Sequence, residues 1–92
     1  MPNENADRAR KFFAQAATEF SAAANLTEFD CQKALSYYAE AQRNWGYAEA
    51  HHERIPARHR RSEGAMNAAE NRMLANRERA QPRIEMCLRR KR

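Results

Sequence analysis

Between Thr27 and Ile55 the apolar side chains keep to a helical beat. Ala34, Tyr38, Ala41, Trp45, Ala48, His52 and Ile55 follow one another in alternating steps of four and three. That spacing lays one seam along one side of a helix, and it predicts helix 2 over about 27–55. At 1.5 Å per residue such a helix is about 40 Å long. It is therefore read as the central element against which the others lie. Thr27, with Asp30 three residues on, resembles a capping box, and Leu26 and Cys31 stand at the positions of a hydrophobic staple.

Upstream, Phe13, Ala16, Phe20 and Ala23 form a second heptad-spaced stripe with Phe12 beside it, predicting helix 1 over about 5–24. Glu4 and Asp7 sit near its N-terminal end, where acids are favoured by the helix dipole. Downstream, Pro56 ends or kinks helix 2, because the residue before a proline is pushed out of the α region. A basic connector follows over 56–61. Ser62 is a candidate N-cap for helix 3, about 62–81, whose apolar face is Met66, Ala69, Met73 and Ala80. Pro82 either kinks that helix or sits in the first turn of a short basic final segment over 82–92. Gly46, inside helix 2, costs about 1 kcal/mol relative to Ala. It marks a close crossing beside Trp45, a bend, or a solvent-facing position.

If helices 2 and 3 are antiparallel about a turn near residue 58, Trp45 lies level with Met73, Tyr38 with Ala80, and Cys31 with Cys87. A chain of 92 residues makes one domain and buries only about 60–65% of its unfolded surface. Valine is absent, Ile55 and Ile84 are the only isoleucines, and alanine supplies nearly half of the hydrophobic residues. Strands are disfavoured by that composition and helices favoured. The expected fold is all-α: a small three-helix bundle, or a long helical hairpin with an N-terminal helix. So thin a core suggests completion by dimerisation or by a partner.

Charge divides the chain unequally. Residues 1–50 carry five Lys/Arg and seven Asp/Glu, whereas residues 51–92 carry twelve and five. Arginine outnumbers lysine 14 to 3, which suits bidentate contacts to phosphate or carboxylate but also follows from coding bias. One cluster is Arg54, Arg58, Arg60 and Arg61; another is Arg89, Arg90, Lys91 and Arg92. Arg72, Arg79, Arg83 and Arg90 recur in steps of seven, four and seven, and so share a helical face between the clusters. Such a stripe suits nonspecific contact with a phosphate backbone. The plainer reading is a solvated face that keeps a small protein in solution, with Glu85 and Arg89 paired within the helix.

The remaining candidates are weaker. Tyr38 and Trp45 belong to the seam, but Tyr37 and Tyr47 point elsewhere, and exposed tyrosine beside arginine is an interface composition. His51, His52 and His59 lack metal-ligand spacing, so no metal and no cofactor is expected. Cys31 and Cys87 are expected as free thiols in a cytoplasmic protein. No signal peptide or membrane span is visible. With no phosphate-binding glycine loop and no nucleophile or carboxylate constellation, an enzyme is not expected.

Two functions follow as expectations. The first is a non-enzymatic module, expected as a homodimer because its core is thin, whose basic half docks on nucleic acid or a nucleoprotein complex. Arg54, Arg58, Arg60, Arg61, Arg72, Arg79, Arg83, Arg89 and Arg90 would carry it. The second is a small regulator or inhibitor, of the kind phages and plasmids encode, that docks on a protein surface and leans on Tyr37 and Tyr47.

Overall fold

The computed structural model describes residues 3–90. The chain is all-α among them, and no helix is long and apolar enough to cross a membrane. Three long helices, α1 (Glu4–Leu26), α2 (Cys31–Glu53) and α4 (Gly64–Arg90), pack side by side, and a single turn, α3 (Ala57–Arg60), joins the last two. The body measures 50 × 17 × 15 Å. Contacts such as Phe20–Tyr38 and Asn76–Ala17 show α2 antiparallel to α1 and α4 parallel to it.

The centre of the bundle is α1, which corrects the expectation that helix 2 plays that part. Eight residues of α1 are buried, all alanine or phenylalanine: Ala6, Ala9, Phe13, Ala16, Ala17, Phe20, Ala23 and Ala24. At 100° per residue they cover an arc of about 120°, wide enough to receive a helix on each side. The fully buried apolar residues of α2 are Ala34, Ala41 and Ala48, strictly seven apart, with Ile55 continuing the row. A row that narrow serves one neighbour. The seam read from the sequence is real, but it is a flank. Phe20 meets the edge of Tyr38 at 5.3 Å between ring centroids, and Phe13 meets His52 at 6.0 Å.

Several boundaries also move. Thr27 does not open helix 2; it closes α1, its hydroxyl donating to the carbonyl of Ala24 at 2.9 Å. Asp30 is the N-cap of α2, its Oδ1 accepting from the Lys33 amide at 3.0 Å. Aspartate is the better cap of the two, and so it wins the boundary. Ser62 does not cap the last helix, because its hydroxyl donates back to His59 O at 2.9 Å. The basic connector contains the single turn α3, with Pro56 at its N-cap.

Of the two readings of Pro82 the new start fails, because the last helix runs unbroken from Gly64 to Arg90. A proline removes one ladder hydrogen bond, but Pro82 is exposed, so water can satisfy the freed carbonyl. Contacts from Arg79 and Arg83 to α1 hold the helix on either side of it. Gly46 faces open solvent, with nothing within 4 Å of the place a Cβ would take.

Of the expected hairpin register, the level pairing of Cys31 with Cys87 is observed. Trp45 and Tyr38 both pack against the core that contains Met73 and Ala80. Arg77, rather than Met73, covers the Trp45 ring, at 4.8 Å from its centroid. Cys31 and Cys87 have Cα atoms 5.6 Å apart, and they are joined in a disulfide. This corrects the expectation of two free thiols. That expectation came from an assumed compartment, whereas the pairing comes from register.

Candidate anion-binding face

The buried residues Met66, Ala69, Met73, Ala80 and Cys87 of α4 belong to a heptad frame whose two missing positions are Asn76 and Arg83. Both polar side chains turn toward α1 and bond its backbone: Asn76 Nδ2 to Ala17 O at 2.9 Å and Arg83 Nη1 to Ala24 O at 3.4 Å. Arg79 donates to Ser21 Oγ at 2.9 Å and to Asn25 Oδ1 at 3.1 Å, and Arg90 reaches Thr27 O at 3.5 Å. The carbonyls at a helix C-terminus lack intrahelical partners and form the negative end of its dipole. α1 carries no basic residue in its own last turn. Arg83 and Arg90 of α4 supply that charge from the neighbouring helix.

Arg72, Arg79, Arg83 and Arg90 therefore do share one face, within an arc of about 40° at helical spacing. Arg72 lines a shallow groove between α1 and α4 with Thr18, Ser21, Asn25 and Asn76. Arg89 lies about 100° away from Arg90 on the helix and is exposed. At the other end, Arg60 caps α2, with Nε donating to Ile55 O at 3.0 Å. Arg54, Arg58 and Arg61 are exposed around it. Lys91 and Arg92 lie outside the described residues.

No arginine from Arg54 to Arg90 has a carboxylate oxygen within 4.0 Å among the described residues. The ion pairs there are Arg10–Asp7, Lys11–Asp7 and Arg43–Glu40, all on α1 and α2. The expected pairing of Glu85 with Arg89 does not form among them. Hydrogen bonds from Arg10 and Lys11 hold the Asp7 carboxyl below its ordinary pKa.

A feature not singled out from the sequence completes the face. Arg8, Lys11, Gln15, Thr18, Ala22 and Asn25 follow each other in steps of three and four, opposite the buried arc of α1. All are exposed except half-buried Ala22, and none is acidic. Its mark in the sequence is a row of polar residues in heptad steps, opposite the apolar stripe of the same helix. The ridge runs between the arginine groove on its α4 side and a second groove on its α2 side. Tyr47 stands in that second groove against Phe12, and Tyr37 lines a separate depression between α1 and α2 with Glu19, Lys33 and Glu40. The two tyrosines expected at an interface thus lie on the α2 side, in separate depressions, away from the α4 arginines.

Chemically this arrangement offers fixed guanidinium groups, hydroxyls and carboxamides on an open surface. The chain matches no protein-family model, and no curated protein or solved structure is similar to it.

Proposed function

We propose that this chain is a non-enzymatic helical binding module that docks on the phosphates of nucleic acid, free or within a nucleoprotein complex. The carrying observation is the line of α4 arginines, without carboxylate partners among the described residues, beside an acid-free polar ridge of α1. An arginine already held in place loses less rotamer freedom on meeting a phosphate. Arg79 and Arg83 are held in that way by α1, and each keeps further N–H groups for a ligand.

A protein-docking regulator is the rival reading, and a different surface favours it. Phe29 is 83% exposed, and Met86 and Leu88 are 54% and 50% exposed. All three stand within two residues of a bridged cysteine, at one end of the bundle. A protein or a second copy of this chain would cover them there.

Salt separates the two. Phosphate contacts weaken steeply as salt rises, with a log–log slope that changes by about one for each cation removed. Fluorescence anisotropy of a labelled oligonucleotide, at two salt concentrations, is expected to show that dependence. Arg61→Glu and Arg72→Glu should each weaken binding while leaving the thermal midpoint nearly unchanged, since neither side chain makes a hydrogen bond recorded among the described residues. Arg83→Glu should lower both. Absence of binding at low salt by a folded protein would remove the nucleic-acid reading and leave the Phe29 end as the working surface.

A further inference from the structure

The α2-side groove carries aromatic rings where the α4 side carries arginines. Phe12 stacks on His51, with ring centroids 5.8 Å apart and planes 5° from parallel. Tyr47 tilts against the same Phe12 ring at 5.4 Å and remains 51% exposed. Arg8, Lys11 and Gln15 of the α1 ridge line this groove together with Phe12 and His51. His51 is fixed from behind by a contact of 3.1 Å between its Nδ1 and Asn5 Oδ1.

The plain alternative is that these rings merely seal the edge of the core. Phe12 does pack against the core, but Tyr47 leaves half of its surface in water. The charged side chains that line the groove itself are both cationic, Arg8 and Lys11. No carboxylate lines the groove. Lys11 is paired with Asp7 at 3.4 Å, an acid that also accepts from Arg10, whereas Arg8 has no carboxylate within 4.0 Å among the described residues. Ring faces beside cations accept an unpaired base and the phosphate attached to it.

We infer that this groove is a subsite for single-stranded nucleic acid, in which an unpaired base stacks on Tyr47 and Phe12 while its phosphate meets Arg8 and Lys11. The inference rests on the phosphate-binding reading of the α4 face and narrows it. Ser21, on the arginine side, is nine residues beyond Phe12, about 14 Å along the helix axis. One strand following Lys11, Gln15 and Thr18 reaches both grooves. A duplex keeps its bases paired and stacked, so it gains only the arginine side.

The test titrates the full chain into a labelled single strand of about twelve nucleotides and into the duplex built on that strand. The single strand is expected to bind roughly tenfold more tightly, as one or two stacked bases allow. Tyr47→Ala should weaken single-strand binding at least about fivefold and leave duplex binding unchanged. Tyr47→Phe should behave as wild type, because the ring and not the hydroxyl does the stacking. Arg8→Glu, on a fully surface position, should repeat the single-strand loss if Tyr47→Ala proves poorly folded by circular dichroism. Arg72→Glu should weaken both ligands. Equal binding of the two ligands, or no effect of Tyr47→Ala and Arg8→Glu on the single strand, overturns the subsite even while Arg72→Glu still acts on both. Failure of the wild-type chain to bind either ligand overturns the phosphate reading itself.

Discussion

Asn76 donates from Nδ2 to the main-chain oxygen of Ala17 at 2.9 Å, across the interface between the two parallel helices α4 and α1. Arg83 repeats the contact one heptad later, on Ala24. Both pairs are separated by 59 residues, so the two polar side chains record a single helix register. They stand where a heptad frame would otherwise place apolar residues. A polar group at such a position specifies alignment at some cost in stability.

The consequence is testable by substitution at one site. Asn76→Ala should lower the free energy of unfolding by about 1 kcal/mol, the net worth of one hydrogen bond. Asn76→Leu should recover that loss, because Ala17 O keeps its place in the helix ladder and the heptad frame gains an apolar side chain. Urea denaturation of the three proteins decides it. A leucine variant less stable than the alanine variant would mean that the position has no room for an apolar side chain.

The Cys31–Cys87 bridge closes a loop across 56 positions of sequence. In the chain-entropy account a loop of that length stabilises the fold by about 4 kcal/mol. Reduction, or Cys31→Ser with Cys87→Ser, should lower the urea midpoint accordingly. Fraying should be greatest at the Thr27–Cys31 turn and the last turns of α4, which hydrogen exchange can locate. Identical midpoints with and without reductant would show that no bridge forms in solution.

Gly46 offers a gain. Its Cβ position is open and its backbone helical, so Gly46→Ala removes unfolded-chain entropy without a clash. The expected stabilisation is about 0.5–1 kcal/mol, read as a higher thermal midpoint. A loss would place the glycine at a contact with another chain, since nothing within this one opposes the methyl.

Helices, their apolar stripes and the lining-up of Cys31 with Cys87 were all legible along the chain, because each depends on period and turn chemistry that local sequence carries. Phe13, Ala16, Phe20 and Ala23 were readable as a buried stripe, and Arg72, Arg79, Arg83 and Arg90 as one face. The boundary at Thr27 was misjudged because two capping residues competed within four positions. Whether the helix continued through Pro82 or restarted there was left open by the sequence, since contacts to another helix sustain it.

Which helix stands at the centre was decided only by the tertiary structure. A stripe shows that a face is buried but not by how many neighbours: α1 packs along both other long helices, whereas α2 meets α4 only at contacts such as Arg77 over Trp45 and the Cys31–Cys87 bridge. The division of the arginines was settled in the same way. Arg83 and Arg90 lie against the open C-terminal carbonyls of α1, whereas Arg61 and Arg72 do not. Sequence alone determined that the second half of this protein is cationic and helical. Long-range packing determined which of those charges hold the bundle together and which face outward, because a guanidinium's partner 59 residues away leaves no mark in the local pattern.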